Sequence, residues 1–160
     1  VAKSIEVTLL LLIGLAAWSD LRTRRIPNWI TVPGAALGIV LQTWTGGLHG
    51  TWNALTGAGL GIAIFIGLFI AGGMGAGDVK LFGAVGALVG PQALVLIFVF
   101  TGLLGGIAAV ALALIHGRLV ETLNRTKNLL SGTAGEQSQS ALKLPYGAII
   151  AGGVLVWMLV

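Results

Sequence analysis

Six apolar runs, at about 4–19, 29–46, 51–72, 79–90, 92–116 and 145–160, fill most of this 160-residue chain and are parted by short polar stretches. A helix that crosses a bilayer needs about 20 mostly apolar residues, because nothing inside the hydrocarbon can satisfy an open backbone. The pattern predicts an all-α polytopic membrane bundle of about six transmembrane helices. It leaves a single membrane-embedded domain over 1–160, with no room for a separate soluble one. Composition agrees, at 56% hydrophobic and 9% charged, where an average soluble domain carries about 25% charged residues. Glycines at 57, 59, 61 and 67 suit lipid, where small residues let neighbouring helices approach closely.

The net charge of +4 does not point to nucleic acid, because the basic residues are spread over short loops and form no single patch. They orient the chain instead. With the 20–28 loop cytoplasmic and all six runs spanning, every basic residue except Lys3 lies inside or at the inner boundary. Trp18 and Trp29 then mark the inner interface, and Trp44 and Trp52 the outer one. The first run, with Lys3 before it and Ala16 and Ala17 at its end, has some features of a cleaved signal peptide. Arg22, Arg24 and Arg25 directly after it argue against translocation.

The fourth run is short, about 18 Å as a helix. A re-entrant segment there would place Arg118, Arg125, Lys127 and Lys143 outside together, so a full span with local thinning or a partly unwound start is expected. Within 117–144, residues 117–130 read as an amphipathic helix on the inner surface, with Glu121 and Arg125 paired at i,i+4. Ser131 to Ser140 reads as a flexible loop, a tether or a flap.

Ionisable residues near a membrane are costly and become functional candidates by default. The only two aspartates are Asp20, closing the first run, and Asp78, opening the fourth on the same side. Taken singly, each has a bland reading: Asp20 as a partner for Arg22 or Arg24, Asp78 as a helix N-cap. Taken together, two nearby carboxylates share a proton and can serve as acid and base. One then takes a proton from a water attacking a peptide carbonyl, while the other polarises that carbonyl and protonates the departing amine. Pro27 and Asn28 stiffen the loop after Asp20 and open the second span. The glycines before Asp78, including Gly75 and Gly77, can leave that backbone unwound and open to an extended peptide. Lys80 can tune Asp78 electrostatically or simply snorkel.

Other chemistries fit less well. Cysteine is absent, His49 and His116 stand alone, and no His-Glu-x-x-His or Gly-x-Ser-x-Gly motif occurs. A metal-free site with no cofactor is expected.

Three stretches together resemble the type IV prepilin peptidases, membrane aspartyl peptidases that share a Gly-x-Gly-Asp motif with presenilin-like enzymes. They are Asp20-Leu-Arg-Thr-Arg-Arg-Ile-Pro-Asn28, Gly73-Met-Gly-Ala-Gly-Asp-Val-Lys-Leu81 and Lys143-Leu-Pro-Tyr-Gly-Ala-Ile-Ile-Ala-Gly152. The resemblance implies that Asp20 and Asp78 are the catalytic pair. It also implies prepilin or pseudopilin substrates, cut in front of an apolar helix at the cytoplasmic face of a bacterial inner membrane. It gives Pro145 and Tyr146 a positioning role. The zinc-binding and methyltransferase region of the larger family members has no counterpart here, so a short peptidase of the tight-adherence kind, or a stand-alone peptidase domain of similar origin, is expected; archaeal preflagellin peptidases share the chemistry. The rival reading is a small proton- or cation-coupled transporter component, which needs ionisable residues at mid-depth, and the spans contain none.

Overall fold

The computed structural model describes residues 3–70, 74–115 and 146–160, all of it helical apart from short joints. In chain order the helices are α1 (Lys3–Thr23), α2 (Asn28–Ile70), α3 (Ala76–Ile115) and α4 (Tyr146–Leu159). The expected inner-surface helix and loop at 117–144, with Pro145, lie outside the described residues.

Among the described residues, three helices are long and apolar enough to cross a membrane, namely α1, α2 and Ala76–Leu112 of α3. Their outward surface is apolar: Leu11, Val40, Leu103, Ile107 and Val110 are among many large hydrophobic side chains left exposed. Such a surface cannot face water in a monomer, and the molecule is a membrane protein.

The two longest helices are not straight rods. Each contains one glycine in a conformation that side-chain-bearing residues rarely adopt: Gly47 in α2 (φ 56°, ψ −139°) and Gly90 in α3 (φ 80°, ψ 173°). Residues eight apart on a straight helix stand roughly 12 Å apart along its axis. The hydroxyls of Thr43 and Thr51 are 2.8 Å apart, so the chain folds back at Gly47. At Gly90 the reversal is clearer still: the Phe82 and Phe98 ring centroids lie 6.3 Å apart where a rod would separate them by roughly 24 Å. Pro91 follows the break, where its missing N–H costs no helical bond. Two side chains pack against the backbone there. Gln42 Nε2 donates to the Leu88 carbonyl at 2.9 Å, and the Asn53 amide occupies the space beside Gly90 that a side chain would need. The described residues thus form six helical segments, and the breaks coincide with the boundaries expected near 46–51 and 90–92.

The 76–89 segment is the centre of the bundle. Every residue from Leu81 to Leu88 is buried, and Phe82 stacks on Phe65 at 4.0 Å. At roughly 20 Å it is shorter than the hydrocarbon core, as its sequence run suggested. A helix enclosed by protein need not match the lipid thickness, however. Its neighbours approach backbone to backbone through Gly57, Gly61 and Gly86, and Gly38 sits against Ala87 and Leu88. Gly59 and Gly67 have open space where a Cβ would stand and take no part in this contact.

Candidate active site

Asp20 reaches the interior because of the helical period of α1. Ile5, Leu9, Leu12, Ile13 and Ala16 form its buried stripe, and Asp20, one turn beyond Ala16, continues it. The helix does not stop at the aspartate, as the apolar run suggested, but goes on to Thr23. There Arg24 adopts a left-handed conformation (φ 52°), and its N–H donates to the Asp20 carbonyl at 2.7 Å, the usual helix-ending turn with arginine where glycine is common. Ser19 Oγ donates to the Arg25 carbonyl at 2.9 Å and holds the reversal, while the Thr23 hydroxyl has the Ser19 carbonyl at 2.9 Å and the Arg25 carbonyl at 3.2 Å as its acceptors. Arg24→Gly removes a left-handed penalty of about 1–2 kcal/mol, partly offset by the flexibility of glycine. A net gain of roughly 0.5–1 kcal/mol in thermal unfolding in detergent is expected.

Asp78 occupies the first turn of α3. Gly75 N donates to its Oδ2 at 3.1 Å, and Asp78 N donates to the Gly75 carbonyl at 3.1 Å. This is one half of a capping box, the carboxylate three residues inside the helix on the amide of the N-cap, with a backbone bond in place of the side-chain bond that glycine cannot make. Asp78 is therefore not the N-cap residue itself. Its side chain reaches back to the glycine that is.

Both aspartates are buried, 6% and 8% exposed. They lie within coulombic range of each other and line one open cleft of about 390 Å³, with Arg24, Arg25, Ile26, Pro27, Asn28 and 75–77 completing its wall. The third sequence stretch meets them at a residue that was not among the candidates. Pro145 lies outside the described residues, and among the described residues of that stretch the backbone of Gly147 touches an aspartate, its N–H donating to Asp20 Oδ2 at 2.8 Å. The available signal was the glycine that follows Pro-Tyr. Ile26, also missed, is wedged between two glycines. A Cβ at Gly77 would stand 3.0 Å from its carbonyl oxygen, and one at Gly147 would stand 2.9 Å from its Cδ1. These two glycines let three chain segments converge beside the carboxylates.

The other candidates separate. Gly75, Gly77, Pro27 and Asn28 are in the cleft wall. Lys80 is tied to Asn28, its Nζ donating to Oδ1 at 2.9 Å, which fastens the start of α2 to the first turns of α3. Tyr146 is half-buried and lines a neighbouring apolar groove. Arg22 lies over the exposed Trp18 ring, 5.3 Å from its centroid.

Residues 7–110 match the model of the type IV leader peptidase family. The chain belongs to that family. A similar protein is the prepilin leader peptidase/N-methyltransferase of Bacillus subtilis (strain 168), 31% identical over 121 residues, which cover 72% of this chain and 46% of the relative. The chain thus spans about half the length of that leader peptidase. No solved structure matches it. The matched region contains both aspartates and the whole cleft wall.

Proposed function

We propose that this protein is a six-span membrane endopeptidase that removes the leader of type IV prepilins or pseudopilins at the cytoplasmic membrane face of a bacterial inner membrane. Asp20 and Asp78 are its acid–base pair. The observation that carries this is the shared cleft, in which two buried aspartates from different helices are each fixed by one backbone amide. Among the described residues, the amide contact takes one oxygen of each carboxyl and leaves the second for water or substrate. The ionised carboxyl accepts a proton from the attacking water. The protonated one polarises the scissile carbonyl and then delivers its proton to the departing amine.

Gly75 and Gly77 leave the backbone beside Asp78 low enough for an extended peptide to lie over it. Pro27, Asn28 and Lys80 keep the loop after Asp20 in register with α3. Tyr146 opens α4 beside the Gly147 amide that meets Asp20, and Pro145, from its place in the sequence, is assigned the same positioning role. Arg22, Arg24, Arg25 and Lys80 gather at the aspartate end of the bundle, which supports a cytoplasmic orientation. The six helical segments support six spans, although the enclosed 76–89 segment crosses within protein and not in lipid.

Co-expression with a prepilin tests the reading: loss of the leader appears as a faster band on a gel. If no prepilin or pseudopilin with a basic leader is shortened, and liposomes carrying the protein conduct protons, the transporter reading replaces this one. Chelation with EDTA is expected to leave cleavage unchanged, since the cleft wall, among the described residues, offers two carboxylates and no histidine. Activity lost to EDTA and restored by zinc would show a metal site.

A further inference from the structure

Beside the aspartate cleft runs a second cavity of about 310 Å³, with an almost wholly apolar lining. Its floor is Phe65 and Phe98, joined edge to face at 6.2 Å. One wall is the stripe Gly102, Gly105, Gly106 and Ala109 of α3, at helical spacing, and Tyr146 and Ile149 of α4 face it. Gly102, Gly106 and Leu68 are exposed, so the groove opens sideways, on the flank that carries the exposed Leu103, Ile107 and Val110. Thr101 also lines it, and its buried hydroxyl has no hydrogen-bond partner among the described residues, an unfavourable state until an acceptor is offered.

The rim of the groove leads to the aspartates. Met74 lines it and is followed by Gly75, whose amide holds Asp78. Tyr146 lines it and is followed by Gly147, whose amide holds Asp20. Tyr146 is also within coulombic range of Asp78. A chain cut between the aspartates therefore continues directly onto an apolar, laterally open groove. Its volume is at the low end of ligand pockets, about 300–1,000 Å³. That is too small to enclose a helix but sufficient for the anchor side chains of one helix face.

We propose that this groove receives the apolar helix that follows the scissile bond of the substrate, which enters from the lipid through the gap between the Gly102–Gly106 stripe and Leu68. The occupant rests on the peptidase reading above. The glycine stripe lets the two helices lie close, and the seated helix fixes the scissile bond over the carboxylates. Recognition then depends on the helix as well as on the leader, and a basic leader need not find an acidic pocket.

The natural chain has no cysteine, which makes disulfide trapping clean. Gly106→Cys meets no atom within 4 Å, and Leu11→Cys on α1, exposed elsewhere on the lipid-facing surface, serves as the reference. Each is reconstituted in liposomes with a prepilin bearing single cysteines along the first turns of its apolar helix, in an Asp78→Asn background that retains the substrate. The expected result is oxidation to a disulfide with Gly106→Cys at helically spaced substrate positions, and none with Leu11→Cys. In the catalytically intact chain, Gly106→Leu is expected to raise KM about tenfold, equivalent to about 1.4 kcal/mol. Equal trapping at both sites, or an unchanged KM, overturns the proposal while leaving the peptidase reading intact. Trapping of Gly106→Cys only by the same cysteine of a second copy assigns the groove to the protein itself and also overturns it. A wild-type protein that cleaves no prepilin removes both.

Discussion

Asp78→Asn, like Asp20→Asn, is expected to lower the rate of prepilin processing by about 10⁴-fold, and the double variant to be no slower than either single one. The two carboxyls act as one unit. Either amide substitution leaves one carboxyl, which cannot be the base for the attacking water and the acid for the scissile carbonyl at the same time. The non-additivity distinguishes a dyad from two independent charges, which would multiply their losses. The fold should persist, because an Asn oxygen can still accept from Gly147 N at position 20 or from Gly75 N at position 78, where the aspartates now accept at 2.8 and 3.1 Å. Thermal unfolding in detergent, run beside the cleavage assay, separates a dead enzyme from an unfolded one. A single variant that processes prepilin within tenfold of wild type would take its aspartate out of the mechanism.

Much of this site is legible in the sequence because it is built from local rules. The stripe from Ile5 to Ala16 extends by the helical period to Asp20, and Asp78 stands three residues after the glycine it caps, so both inward positions follow from spacing. The breaks at Gly47 and Gly90 fall where apolar runs part. The Asp20 partner is different in kind. Gly147 lies 127 positions away, and no pattern in either segment specifies the pairing. Only the docking of α4 on α1 brings the amide to the carboxylate. Lys80 was legible as a boundary residue but not as the partner of Asn28, since a flexible side chain can reach either group. The groove at Phe65 and Phe98 was invisible for the same reason, because its floor and walls come from three segments that meet only after both hairpins have folded.

The glycines show the limit most sharply, and they carry the second large effect. Gly57, Gly59, Gly61 and Gly67 look alike in the sequence, as small residues in one apolar run. In the fold, a Cβ at Gly57 would collide with the Gly86 carbonyl oxygen and stand 2.9 Å from the Gly90 Cα, whereas one at Gly59 meets nothing within 4 Å. The obstacle at Gly57 is backbone from the central 76–89 segment and the Gly90 turn, which cannot rotate aside as a side chain can. Gly57→Leu must therefore push that segment away from the 48–70 segment, loosening the contact at Gly61 as well. Overpacked cores lose about 1–3 kcal/mol even where side chains can adjust. With backbone against backbone the expected loss is about 3 kcal/mol or more, a large share of the roughly 5–15 kcal/mol that holds a domain folded. Asp78 rides on the first turn of the displaced segment, so cleavage should fail together with stability. Gly59→Ala exchanges glycine for a better helix former in open space and should melt at or slightly above the wild-type temperature. Equal melting of Gly57→Leu and wild type would mean that the close crossing at Gly57 and Gly86 does not hold the bundle together.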